Sequence, residues 1–160
     1  MPPEVDYDAI VIGAGFGGLR MLQELRTLGL STKCFEAGSD VGGTWYWNRY
    51  PGARTDSEAW VYTMNISKEL TADWAWQERL PAQDEVLQYL RHIADRFTLR
   101  NQIEFRTSVT SAQYNSDGNA WTVTNNKGQS YTCTYFIAAV GPLSAPRPPP
   151  FPGVESFRGE

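Results

Sequence analysis

Apolar positions recur along this chain with two periods, and the switches between them mark its elements. Residues 8–12, DAIVI, form a short β-branched apolar run that ends at glycine, the pattern of a strand buried within a parallel sheet. From Phe16 to Leu28 the period changes, with Leu19, Leu22, Leu25 and Leu28 on one side of a helix, joined by Met21, and Gly29 at its stop. A second short strand is predicted over Thr32–Phe35, with Glu36 at its end. Val86, Leu90, Ile93, Ala94 and Phe97 return at helical spacing after Pro81, with Asp84 and Glu85 in the first turn. Beyond Ile103 to Phe105, strand-like runs at 107–114, 120–124 and 129–134 are separated by the turn clusters NSDGN and NNKG, which predicts an antiparallel three-stranded meander. Residues 135–141, YFIAAVG, read as a separate strand returning to the parallel sheet. The proline-rich stretch PLSAPRPPPFPG then reads as an extended linker, because proline lacks the amide that a sheet ladder needs.

Composition narrows the setting. A chain of 160 residues holds one domain with a real core. Its net charge of -4, with the cations scattered, argues against nucleic acid as a partner. No apolar run approaches the ~20 residues of a membrane-spanning helix, and MPPEVDYD carries no basic apolar leader. Cys34 and Cys133 fall in predicted strands without metal or redox spacing, so buried free thiols in a reducing, cytoplasmic setting are expected. No metal site is expected. His92, the one histidine, is read as an ordinary surface residue.

The glycines after the first strand carry chemistry. Gly13, Gly15 and Gly18 fit G-x-G-x-x-G within the run Gly13-Ala14-Gly15-Phe16-Gly17-Gly18. Gly13 permits the tight turn, Gly15 lets a pyrophosphate approach the backbone, and Gly18 allows close packing of helix on strand. The helix start at Phe16 and Gly17 offers free amides to phosphate. Glu36 follows at about the 20-residue spacing of the fingerprint and can accept hydrogen bonds from an adenosine ribose. An acid there disfavours a 2′-phosphate, so NADP is not expected at this site. The fingerprint itself does not separate FAD from NAD. The layout does: a βαβ start, a long insertion, a meander and a strand ending at Gly141 resemble the FAD-binding half of flavoproteins with two dinucleotide domains.

The segment GGTWYWNRYPGARTD, residues 42–56, reads as neither helix nor strand. It matches the pattern (A/G)-G-x-W-x-x-x-x-(F/Y)-P-(G/M)-x-x-x-D at Gly42, Gly43, Trp45, Tyr50, Pro51, Gly52 and Asp56. On these residues, with SEAWVY and ERLPAQDEV downstream, the chain resembles the N-terminal part of the Baeyer–Villiger monooxygenases. The resemblance implies an α/β, Rossmann-like FAD-binding domain, a parallel sheet with a three-stranded antiparallel meander. It is expected to be incomplete, with 1–141 as the FAD-binding segment and 142–160 as linker and start of the NADP-domain region.

The same resemblance implies that NADPH reduces FAD and that oxygen is inserted beside a ketone carbonyl to give an ester or lactone. Asp56 matches the active-site aspartate, which orients a catalytic arginine lying outside these residues; Arg49 and Arg54 fall at variable positions of the motif. Gly43, Thr44, Trp45 and Tyr62 are expected at the cofactor, with Trp45 and Tyr50 as a dry wall. Two departures stand out. Val140 occupies a position where many members carry Ser or Thr before the glycine matching Gly141. The second fingerprint, F-x-G-x-x-x-H-x-x-x-W, begins at Phe157 and Gly159, and Glu160 precedes its His and Trp. The 160 residues alone are therefore expected to be inactive, truncated, poorly soluble, or dependent on a partner supplying the remainder. Two alternatives are a related N-hydroxylating flavin monooxygenase and a non-catalytic nucleotide-binding or docking module. Trp45, Trp47, Trp60, Trp74 and Trp76 have the plainer reading of core packing.

Overall fold

The computed structural model describes residues 4–145, 147 and 149–159. Met1 to Pro3 of the leader reading, Pro146 and Pro148 of the linker reading, and Glu160 lie outside the described residues.

Strand β1 (Tyr7–Ile12) lies inside a six-stranded sheet, parallel to β2 (Thr32–Phe35) on one side and to β6 (Ser130–Ala138) on the other. The registers place Val11 between Cys34 and Ile137. Such a strand meets side chains on both faces, which is why Ala9, Ile10 and Val11 are an unbroken apolar run and all fully buried. β3 (Ile103–Glu104), β4 (Val109–Asn115) and β5 (Ala120–Asn125) complete the order β3-β2-β1-β6-β5-β4.

Helix α1 (Phe16–Thr27) connects β1 to β2 and buries Leu19, Leu22 and Leu25 against the sheet. It stops as the sequence predicts. Gly29 takes φ of +73°, its amide donates to Arg26 O, and the Leu30 amide reaches back to Leu25 O, the paired bonds of a Schellman motif. Helix α2 (Thr44–Trp47) is a single turn inside the segment read as neither helix nor strand, which corrects that reading. Helix α3 (Lys68–Asp73) is capped by Ser67, whose Oγ accepts the Leu70 amide. Helix α4 (Gln83–Arg96) buries Val86, Leu87, Tyr89, Leu90, Ile93 and Ala94 beside α1, with Asp84 and Glu85 at its positive end.

The meander forms as predicted. Asn115 Oδ1 accepts the amides of Asp117 and Gly118 at the first turn, and Asn125 Oδ1 accepts those of Lys127 and Gln129 at the second. One boundary is corrected: the runs 129–134 and 135–141 are not two strands, because residues 130–138 form β6 without a break. Cys133 pairs with Trp121 of β5 on one side and Tyr7 of β1 on the other. Before it β6 belongs to the meander, and after it to the parallel sheet. Tyr135 to Ala138 pair with β1 alone, beside an open apolar groove that includes Leu28 and Tyr135, both well exposed.

Two cores result. One lies between the sheet and helices α1 and α4; the other joins Ile10 and Phe35 to Val123, Cys133 and the rings of Trp121, Tyr131 and Phe136. Trp121 stacks on Phe136 at 5.1 Å. The tryptophans divide: Trp74 and Trp76 pack on Tyr89, while Trp60 is 71% exposed. His92 is not an ordinary surface residue. It is half-buried against Trp74, ring centroids 5.5 Å apart, with Nε2 buried and unpartnered among the described residues.

Leu90→Ala is expected to lower the unfolding free energy by about 2–5 kcal/mol in chemical denaturation, against at most ~0.5 kcal/mol for exposed Gln88→Ala on the same helix. Acid stability has a named contributor in Glu104. Hydrogen bonds from Lys127 Nζ and Lys33 Nζ, each 2.8 Å, hold its carboxyl down to about 2. Since this lies below an unfolded value of about 4.3, the stabilisation is complete above that pH and disappears as pH falls toward 2. In thermal melts across that window Glu104→Gln should lose less stability than the parent.

Candidate functional site

The turn from β1 into α1 is closed by direct backbone contact. A Cβ on Gly18 would lie 1.8 Å from Gly13 O, and one on Gly13, whose φ is +98°, would lie 2.6 Å from Ala139 O. Only glycine lets helix, turn and the end of β6 meet this closely. Gly15 faces Gly43, where a Cβ would come within 3.2 Å of the Gly43 Cα. The first bond of α1 runs from the Leu19 amide to Gly15 O, so the amides of Phe16, Gly17 and Gly18 have no intrahelical acceptor. They give the cleft beside them a positive end.

Glu36 is the buried acid of the site, 4% exposed. Its Oε2 accepts the Ala14 amide at 2.6 Å and its Oε1 the Gly38 amide at 2.7 Å. Its own amide donates to Glu104 O, and its carbonyl accepts the Thr107 amide. Each carboxylate oxygen accepts one amide and keeps further acceptor capacity, and Glu36 lines the cleft. Below it, Cys34 donates to Gly13 O; burial first, and the Glu36 carboxylate second, push this thiol well up. Burial pushes Cys133 up to about 11. Both are free, buried and unreactive as thiolates, as expected.

These groups open on a cleft of about 710 Å³ at the carboxyl ends of β1, β2 and β6. Of the residues singled out from sequence, Gly13, Gly15, Phe16, Gly17, Glu36, Gly43, Thr44, Trp45 and Gly141 lie on its wall. Gly18 sits behind it, under the turn. Tyr62 also stands behind the wall, half-buried, edge-on to Trp45 (5.6 Å) and Phe16 (5.7 Å). Asp56 is outside the cleft and exposed, touched by Ser57 Oγ at 3.2 Å. Its place is set by neighbours: the Thr55 amide donates to Pro81 O, Arg54 bridges to Ala82, and the Gln83 amide donates to Ala53 O. Arg54 itself pairs with Glu78 rather than Asp56.

Sequence reasoning missed one wall of the cleft, formed by Thr107, Ser108 and Val109. They arrive through the pairing of β3 with β2, which no local pattern announces. It also missed Gln83, whose side-chain amide donates to the Trp45 carbonyl and ties α4 to α2.

Residues 7–160 match the family model described as flavin-binding monooxygenase-like. The chain belongs to that family. It is 43% identical over 155 residues to a Baeyer–Villiger monooxygenase of Pseudooceanicola batsensis, covering 96% of this chain and 28% of that protein. It is 44% identical over 155 residues to a phenazine N-monooxygenase of Lysobacter antibioticus, covering 96% and 29%. The fold superimposes on a crystal structure of cyclohexanone monooxygenase from Rhodococcus sp. Phi1 bound to NADP+ with a TM-score of 0.90 at 44% identity, covering 96% of this chain and 29% of that one. The chain thus spans under a third of the relatives it matches. The family resemblance carried by residues 42–56 and the Rossmann-like fold class are both borne out.

Two glycines of this turn separate packing from propensity. A Cβ on Gly17 meets no atom closer than 3.8 Å, whereas one on Gly18 collides with backbone. Gly18→Ala should therefore destabilise by roughly 1–3 kcal/mol, and Gly17→Ala should be neutral or stabilising, as read by denaturant unfolding.

Proposed function

We propose that this chain is the first part of the FAD-binding domain of a Baeyer–Villiger-type monooxygenase, with residues 1–141 holding the dinucleotide and 142–160 leading toward an NADP-binding region. The observation that supports it best is the cradle itself. Gly13 and Gly18 stand where a Cβ would collide with backbone, the first amides of α1 have no intrahelical acceptor, and a buried carboxylate with spare lone pairs lines a cleft of dinucleotide scale. The residues fit FAD. The amides at the start of α1 would take the pyrophosphate, and Glu36 would take the adenosine ribose.

Bound FAD, reduced by NADPH, supplies the activation of dioxygen for insertion beside a ketone carbonyl. The chain's own residues bind and shield. Trp45, held through its carbonyl by Gln83 and through its ring by Tyr62, closes one side of the cleft to water. Asp56, an exposed carboxylate on a segment pinned by the contacts of Thr55 and Arg54, is free to orient an arginine from another part of the polypeptide. A ketone is the proposed substrate of the whole protein.

A second reading has one observation in its favour. The chain is 44% identical to the phenazine N-monooxygenase and 43% identical to the Baeyer–Villiger enzyme over 155 residues each, so this segment suits oxygenation at nitrogen as well as beside a carbonyl. The substrate class is then decided by residues outside this segment.

Visible absorbance of the chain after mixing with FAD and removing the excess tests the cofactor site. A stoichiometric flavin band is expected, lost in Gly15→Asp, which sets a carboxylate against the pyrophosphate, and in Glu36→Arg. Absence of the band in the parent chain would overturn the reading.

A further inference from the structure

We propose that a continuous file of aromatic rings, running from the cleft wall to the outer side of α4, carries electron holes away from the cleft, so that a stray one-electron oxidant formed there is quenched before it damages the site. The file begins at Trp45, which lines the cleft and is 9% exposed. Ring centroids then follow at 5.6 Å to Tyr62, 5.7 Å to Phe16 and 6.4 Å to Tyr89. Tyr89 is 4.8 Å from Trp76 and 5.3 Å from Trp74, which are 5.8 Å from each other, and His92 lies 5.5 Å beyond Trp74. Every step falls within the range of packed aromatic pairs. Electron tunnelling weakens steeply with distance, so such a file transmits a hole where a single long jump does not.

The proton inventory suits tryptophan as the stopping place. Trp74 Nε1 is buried with no acceptor among the described residues, and Trp76 Nε1 donates to Thr63 Oγ1, a hydroxyl and a weak base, at 2.9 Å. An indole cation at either position keeps its proton, and its reduction needs an electron alone. The Tyr89 oxygen already accepts the Met64 amide, and burial raises its phenol, which opposes loss of its proton. Tyr89, Phe16 and Tyr62 therefore serve as bridges. In sequence, an oxygen-derived or photoexcited oxidant takes one electron from Trp45. An electron from Trp76 or Trp74 refills Trp45. A soluble thiolate- or ascorbate-class donor then gives one electron to the half-buried Trp74–Trp76 pair and leaves as its own radical. No bond in the protein forms or breaks. Trp47 and Trp60, both exposed, have no ring contact with the file.

The physiological source of the oxidant rests on the proposed flavin chemistry, but the path does not, and the test is built accordingly. A ruthenium–polypyridyl photo-oxidant is attached to Asn48→Cys at the cleft rim, in a Trp47→Phe background; Cys34 and Cys133 are buried and stay unlabelled. After flash and quench, transient absorption reads the tryptophan radical. A long-lived radical is expected, abolished by Trp45→Phe, shortened by Trp74→Phe/Trp76→Phe, and unchanged by Trp60→Phe. Should the double variant fail to fold by circular dichroism, Phe16→Leu, which removes the ring between Tyr62 and Tyr89, is expected to shorten the lifetime. A folded double variant, or a folded Phe16→Leu variant, with the parent's radical lifetime would overturn the path, whether or not the chain retains FAD.

Discussion

The carboxylate of Glu36 registers three separate parts of the chain through one side chain and its backbone. A buried charge is costly unless its oxygens are satisfied, and here the Ala14 amide takes one and the Gly38 amide the other. The first bond holds the glycine turn after β1; the second holds the loop after β2. Through its own peptide groups Glu36 also joins Glu104 and Thr107, which brings the approach to β4 alongside. These three segments supply part of the cleft wall, and the aromatic segment with the stretch after β6 supplies the rest. Loss of the carboxylate would leave two buried amides searching for partners as well as removing a contact for ligand.

Around that clasp, the sheet decides where a ligand can sit. The chain leaves β1 for β2 on one side and returns as β6 on the other, and the crevice beyond a strand flanked in this way is the usual ligand position in open α/β sheets. β6 has to satisfy two neighbours of opposite direction. It does so by length, meeting β5 before Cys133 and β1 after it. The meander buries the second core, so the face of the sheet away from α1 is covered by the chain's own strands. The helical face is filled by α1 and α4, and the aromatic segment is stapled to α4 by Gln83.

Much of this was readable from local pattern, and the exceptions have physical reasons. The β1–turn–α1–β2–Glu36 unit is legible because its elements follow one another in sequence and its packing glycine, Gly18, answers a contact inside the unit, Gly13 O. The helix stop at Gly29 is legible for a different local reason, the positive φ that the end of α1 requires. β6 reads as two strands because a change of pairing partner leaves no mark on side-chain alternation. His92 reads as a surface residue because its burial depends on Trp74, a residue from a stretch with no periodicity of its own. The wall of Thr107 to Val109 depends on β3 pairing beside β2, a non-local event. Trp74 and Trp60 differ in burial although both are tryptophans of the insertion, since only Trp74 meets α4.

The claim on which the account turns is that the glycine turn, clasped by Glu36, forms the ligand cradle. Amide-resolved NMR of the uniformly 15N-labelled chain, titrated with FAD and separately with ADP, tests it most directly. The account predicts that both ligands move the amide signals of Gly15, Phe16, Gly17 and Ala37, with those of the distant turn at Asp117 and Gly118 unmoved. Saturable shifts confined to other regions, or none in the turn with either ligand, would contradict it.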